Sequence, residues 1–170
     1  MDALKIVVRI LSYICYGIIG IYALVCIPMV AGFRPVVVLS GSMRPTYEVG
    51  TIIYYRHVDQ SEIAIDDVVT YDLNNTLVTH RVKGIENNEY VTQGDANNVA
   101  DSKHVPYEAV QGKVGSIAIP ILGFGVQFIN ENIWVFAILI AILVAEFLLS
   151  NIKSDKISVS EKGHKHEKED

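Results

Sequence analysis

The sequence predicts a mainly β domain carried between an N-terminal and a C-terminal transmembrane α-helix. Three observations carry that reading: long charge-free runs near both ends of the chain, a middle region of short Val-, Ile-, Tyr- and Thr-rich segments separated by turn residues, and a formal net charge of −5 that belongs to the middle region alone. The chain has 170 residues, 51% of them apolar, and only two cysteines. Apolar residues this plentiful exclude a disordered chain, the lack of a glycine period excludes a collagen-like one, and two cysteines do not make a disulfide scaffold.

Residues 10–33 contain no Asp, Glu, Lys or Arg. A helix over this run is about 36 Å long, more than the ~30 Å hydrocarbon core of a bilayer. A second run, residues 133–150, is interrupted only by Glu146 near its end and is close to the length a membrane helix needs. A removable signal peptide is the competing reading of the N-terminus, but its apolar core is only ~7–15 residues, so the longer run reads as an uncleaved anchor. Lys5 and Arg9 precede the first span, and Lys153 and Lys156 follow the second. Short basic flanks stay in the cytoplasm, so an integral membrane protein is expected, with both termini cytoplasmic and the middle region extracytoplasmic. Cys15 and Cys26 lie about 16 Å apart along the first helix, beyond disulfide reach, and read as apolar filler.

The chain then divides into a cytoplasmic stub and anchor (residues 1–33), an all-β domain (34–125), a juxtamembrane segment with the second span (126–150) and a charged tail (151–170). Residues 34–132 hold seven basic and twelve acidic side chains. That balance argues against nucleic acid, which needs clustered Lys and Arg. Strands are expected at Pro35–Leu39, Thr51–Arg56, Asp67–Leu73, Thr76–Ile85, Glu89–Gln93 and Val110–Ile119. Hairpin turns are expected at Asp72–Asn75, with Asn74-Asn75 at the tip, and at Glu86–Asn88. No part of the region shows helical periodicity. The tail has too little apolar content to offset chain entropy and is expected to be disordered. His164 and His166 within it read as solvated residues and not as a metal pair, since structural sites want four fixed ligands.

Three segments carry chemistry. Ser40-Gly41-Ser42-Met43-Arg44-Pro45-Thr46 places a small polar turn after Val36-Val37-Val38-Leu39, a setting that suits a nucleophilic hydroxyl, although alone it reads more readily as a structural loop. In Thr79-His80-Arg81-Val82, strand alternation sets His80 on a face with Val78 and Val82, while Leu77, Thr79 and Arg81 point the other way. An inward histidine is commonly a core residue, and it is also suitably placed to act as a base. His57 and His104 lie among charged residues and read as surface. Gly94-Asp95-Ala96-Asn97-Asn98-Val99-Ala100-Asp101 is a turn bearing two carboxylates. It lacks the dense oxygen spacing of an EF-hand, which leaves calcium a minor alternative to one carboxylate orienting a histidine and the other holding the loop.

Taken in this order behind an N-terminal anchor, Ser-Gly-Ser-Met-x-Pro, Thr-His-Arg-Val and Gly-Asp-x-Asn-x-x-x-Asp resemble the type I signal peptidases, and within them the branch of the endoplasmic reticulum, archaea and some Gram-positive bacteria. The likeness runs from about residue 34 to residue 124 and takes in Gly112-Lys113-Val114-Gly115 and Ile119-Pro120-Ile121-Leu122-Gly123. It implies a β domain of the signal-peptidase type. It also implies Ser42 as nucleophile, His80 as general base where the bacterial branch has lysine, Asp101 as the residue orienting the imidazole, Asp95 as support for the same loop, and the Ser40 hydroxyl as an oxyanion donor beside the Ser42 amide. Lys83, three residues after His80, points to the opposite face and is a poor substitute base. Thr51 departs from the pattern, since many relatives carry an acidic residue there.

The implied activity is a serine endopeptidase that removes signal peptides from secreted precursors at the outer face of the membrane. No cofactor or metal is implied. The partners implied are the lipid bilayer and precursors with small residues before the cleavage site, with room for accessory membrane subunits. A membrane peptidase dedicated to one precursor and a non-enzymatic assembly factor on the same fold are the alternatives. Glu146 reads either as facing a partner or as lying at the cytoplasmic interface.

Overall fold

The structure, a computed structural model, describes residues 2–166, and side chains over residues 3–150. The described residues separate into two compact units, one formed by residues 2–23 with 129–166 and the other by Leu24–Phe128.

The first unit is helical. Helix α1 (Asp2–Cys26) is followed by a 3₁₀ turn (Ile27–Ala31), and α3 (Ile133–His166) closes the chain. Ala3–Ala31 and Ile133–Ser150 are long and apolar enough to cross a membrane. Tyr22 meets Phe136 edge to face at 6.4 Å, and its hydroxyl lies 3.1 Å from Asn130 Oδ1. Glu146 accepts a hydrogen bond from Tyr16 at 3.4 Å and lines a cleft with Lys5, Arg9 and Ser150. Both cysteines are free. The backbone of α3 continues past Ser150 to His166, through a segment whose composition predicts disorder. A segment that extends an existing helix needs no new nucleus. The rest of the expected tail, residues 167–170, and the side chains of His164 and His166 lie outside the described residues.

The second unit is one antiparallel sheet of seven strands: β1 (Arg34–Val37), β2 (Ile52–Arg56), β3 (Val68–Leu73), β4 (Thr76–Glu86), β5 (Glu89–Gln93), β6 (Val105–Pro106) and β7 (Val110–Ile119). Their order is β1-β2-β7-β3-β4-β5-β6. Both hairpins form where the asparagines predict them. Asn74 and Asn75 join β3 to β4, Asn87 and Asn88 join β4 to β5, and all four have positive φ, between 49° and 67°, as a two-residue type I′ turn demands. The β2–β7, β3–β7 and β4–β5 pairings each contain a register shift, and a bulge at such a point adds local twist and bends the strand.

Alternation then sorts side chains into two apolar clusters. One gathers Val58, Ile63, Val69, Tyr71, Val82, Tyr90, Val105 and Val110. The other packs Val25 at the end of α1 against Ile52 and Tyr54, with Phe33, Val37, Ile119 and Val126 around them. The Tyr54 hydroxyl donates to the Val25 carbonyl at 2.9 Å, which satisfies a helix-end acceptor within this cluster.

Two differences from the sequence-based expectation stand out. Strand β6 is only two residues long, too short to register as an alternating pattern, and it pairs with the end of β5 that follows the second hairpin. The β unit also ends in a helix, α2 (Leu122–Glu131), where no helical periodicity is legible. Gly123 and Gly125 lower its intrinsic propensity, but Gly123 packs on the Gly50 carbonyl and Val126 enters the second cluster, so tertiary packing stabilises the helix. Gly50 has φ +84°, and a Cβ there would lie 2.2 Å from the Phe124 ring; no side chain fits that turn.

Candidate active site

β1 ends at Val37, and the chain then turns through Ser40 into a 3₁₀ segment, Gly41–Met43. Buried Met43 anchors this turn in the unit's interior. Leu39, expected at the end of a buried strand, is 62% exposed instead, one residue beyond the last main-chain bonds of this edge, those of Val38 with Gly50 and Thr51. Ser42 is half-buried, and its Oγ lies 3.1 Å from Ser40 Oγ. The 94–97 turn grips this segment from behind, with Ala96 N–H donating to the Ser42 carbonyl at 2.8 Å. That approach requires a glycine at 94, where a Cβ would lie 2.7 Å from the Ser42 carbonyl oxygen. Thr51 is buried, and its carbonyl accepts the Val38 N–H at 2.9 Å, so its main chain supports the strand leading to Ser40.

His80 faces inward on β4, as the alternation predicts, and is 8% exposed. Its Nδ1 is 2.6 Å from Asp101 Oδ2. A carboxylate only accepts, so Nδ1 carries a proton, and in the neutral imidazole the lone pair is on Nε2. Among the described residues Nε2 has no hydrogen-bond partner, while every buried polar side-chain atom has one. Nε2 is therefore not sealed in the core, and His80 lines an adjoining cleft. That cleft, about 580 Å³, is lined by Val36–Ser40, Ser42, Met43, Asn75–His80 and Asn97. Ser42 and His80 share it without a direct hydrogen bond between them.

The edges of the cleft are two incompletely paired strands. β1 is the outermost strand of the sheet and pairs only with β2. The first half of β4, Thr76–His80, pairs with β3 on one side, whereas β5 joins its other side only from Arg81 onward. Two open backbone edges thus face a slot with apolar walls. Such an arrangement accepts an extended chain by strand addition.

The two carboxylates of the 94–101 loop part company. Asp101 joins His80 and also accepts from Thr92 Oγ1 at 2.7 Å and Tyr71 Oη at 3.2 Å, all on Oδ2. Asp95 turns to the opposite face of β4, where Arg81 grips it twice, Nε to Oδ1 at 2.8 Å and Nη2 to Oδ2 at 2.6 Å, and Thr46 donates to it as well. The guanidinium's hydrogen bonds hold the Asp95 carboxyl below its ordinary range, and the same bonds raise Arg81. With a cation on Asp95 and an imidazole on Asp101, the loop does not present the shared oxygen set of a calcium site. Among the described residues no group of three or more His, Cys, Asp or Glu is arranged to hold a metal ion.

The other flagged residues lie elsewhere. Lys83 is exposed and pairs with Asp66 at 3.3 Å. His104 sits between Glu86 and Glu89 at 4.0 and 3.9 Å. Sequence reasoning missed Tyr71, Thr92 and Thr46. The one available signal was a hydroxyl on an inward-facing strand position, as at Thr92 beside Tyr90 and Tyr71 beside Val69, and nothing local ties such a hydroxyl to Asp101.

No family model matches the chain. Individual relatives do. Signal peptidase I W of Bacillus subtilis is 33% identical over 131 residues, covering 69% of each chain. The chain belongs to the signal peptidase I family and is a peptidase. The signal peptidase complex catalytic subunit of Scheffersomyces stipitis is 32% identical over 129 residues, covering 68% of this chain and 77% of the relative. Its counterpart in Debaryomyces hansenii is 31% identical over 130 residues with the same coverage. As a signal peptidase with two helices suited to a bilayer, the chain combines a mainly antiparallel sheet with an apolar helix at each end.

Proposed function

We propose that the chain is a membrane-bound serine endopeptidase that removes signal peptides from secretory precursors at the outer face of the membrane. Ser42 is the nucleophile, His80 the general base and Asp101 the residue that orients it. The observation that carries this reading is the 2.6 Å contact between His80 Nδ1 and Asp101, which leaves Nε2 free beside a cleft that Ser42 also lines.

An extended precursor segment lies between the open edges of β1 and β4. Backbone pairing holds many sequences alike, and pockets for alternate side chains favour small residues before the scissile bond. His80 Nε2 takes the Ser42 proton as the oxygen attacks the carbonyl carbon, then delivers it to the leaving amine, while Asp101 holds the tautomer and balances the imidazolium. The Ser42 amide and the Ser40 hydroxyl, 3.1 Å from the Ser42 oxygen, serve the oxyanion. Water attacks the acyl-enzyme by the reverse proton path and frees Ser42. Thr46 and Arg81, through Asp95, brace the loop that holds the Ser42 carbonyl.

Basic residues flanking both spans support a topology with both termini in the cytoplasm and the β unit outside. Restricting enzyme and precursor to one membrane surface replaces a three-dimensional search by a local one. The yeast relatives' names assign them to a complex, and accessory membrane subunits are proposed here on that basis.

The test is cleavage of a purified precursor by the full chain in detergent or lipid discs, with N-terminal sequencing of the product. Ser42→Ala and His80→Ala are expected to abolish the new N-terminus while the protein remains membrane-bound. Cleavage by Ser42→Ala at the parental rate would overturn the assignment.

A further inference from the structure

Asp101 lies on a loop with no strand or helix of its own, and the residues before it, from Asn97 to Ala100, are exposed. Little packing fixes its carboxylate. Thr92 on β5 holds it at two points. The Asp101 N–H donates to the Thr92 carbonyl at 2.8 Å, and the Thr92 hydroxyl donates to Asp101 Oδ2 at 2.7 Å. Tyr71 on β3 adds a third contact at 3.2 Å to the same oxygen, and its Oη stands 3.4 Å from His80 Nδ1. Tyr71, His80 and Thr92 are thus brought together from three adjacent strands, Tyr71 with 3% exposure and Thr92 with none.

A buried hydroxyl costs free energy unless it is bonded, and valine would fill the Thr92 position with nearly the same shape. Both hydroxyls spend their single proton on the oxygen that also receives the imidazole N–H. Burial, aided by the Asp101 charge, pushes Tyr71 up to about 12, so Tyr71 remains a neutral donor at working pH.

We propose that Tyr71 and Thr92 are positioning residues for peptide-bond cleavage, their hydroxyls fixing the Asp101 carboxylate and through it the aim of the His80 imidazole. This rests on the assignment of Ser42, His80 and Asp101 made above. Neither hydroxyl reaches the cleft that Ser42 lines, so their effect falls on turnover and not on substrate binding.

The experiment is steady-state cleavage of one precursor peptide by the full chain in lipid discs, with thermal unfolding of each variant alongside. Thr92→Val is expected to lower kcat by roughly tenfold to a hundredfold, the worth of a hydrogen bond to a charged group, with KM within about twofold and a cooperative unfolding transition retained. Thr92→Ser keeps the hydroxyl and is expected to restore kcat to within about threefold of the parent. Tyr71→Phe, losing the longer bond, is expected to cost about threefold to tenfold. The double variant should lose less than the product of the two, because both hydroxyls serve one oxygen.

An unchanged kcat in Thr92→Val, or equal losses in the Val and Ser variants, would overturn the inference. If Thr92→Val lacks a cooperative unfolding transition, Tyr71→Phe decides, and an unchanged kcat there has the same force. Ser42→Ala run in parallel separates the two levels. Residual cleavage by Ser42→Ala removes the underlying catalytic assignment, whereas an inactive Ser42→Ala beside a fully active Thr92→Val removes only the positioning role.

Discussion

His80 and Arg81 are neighbours on β4, point to opposite faces, and each takes one carboxylate from the same loop. On the Arg81 face, Asp95 receives two guanidinium bonds and one from Thr46, a pair whose charges are permanent across the useful pH range. On the His80 face, Asp101 receives one imidazole N–H and two hydroxyls, and its partner gains and loses a proton during each turnover under the proposed mechanism. The first arrangement ties β4, the turn after Ser42 and the 94–97 turn together. The second leaves a ring nitrogen free for work. The difference shows how strand alternation separates a structural task from a chemical one at adjacent positions.

The strongest way to break this contrast is to neutralise the two carboxylates separately. Asp101→Asn is expected to reduce turnover by up to about 10⁴-fold, the cost of the wrong imidazole tautomer in a Ser-His-Asp triad, with a small change in unfolding midpoint. A loss under tenfold would erase the special standing of the His80 face. Asp95→Asn should show the reverse emphasis, destabilising the β unit by about 2 kcal/mol, since a partly buried guanidinium keeps its charge and loses its partner. Thermal unfolding with cleavage assays on both variants separates the two patterns.

Acidity sharpens the comparison further. The Asp95 carboxyl is held below its ordinary value of 3.8 in the fold. Its contribution is therefore fully present above that pH and is lost as the pH falls through the lower, folded value. The stability gap between parent and Asp95→Asn is expected to be constant from pH 5 to 7 and to close in more acidic solution. A gap that widens on acidification would contradict the direction of this shift. The smallest effect is expected at Lys83, whose pair with Asp66 is exposed. Lys83→Ala should change stability by less than about 0.5 kcal/mol and leave cleavage unchanged; lost cleavage would reopen the question of a lysine base.

Much of this was legible before any coordinates. The asparagine pairs at 74–75 and 87–88 mark turns that require positive φ, which is a property of the residues themselves. Alternation in Thr76–Glu86 set His80 inward and Arg81 outward because side chains on a strand obey a period of two wherever it lies in the sheet. Other features depended on partners far along the chain. β6 exists because β5 offers it an edge, and α2 exists because Gly50 and the second apolar cluster receive it.

What the sequence alone determined were the local quantities: two apolar runs long enough for a bilayer, the hairpin tips, the inward face of β4 and three reactive residue types in a recognisable order. Only the tertiary structure decided which carboxylate meets which cation, that Tyr71 and Thr92 converge on Asp101, and that two half-paired strands frame the cleft shared by Ser42 and His80. The reason is physical. Backbone propensity and periodicity act over a few residues, whereas the partner of a side chain depends on sheet order and register, which are settled by packing among segments up to about a hundred positions apart.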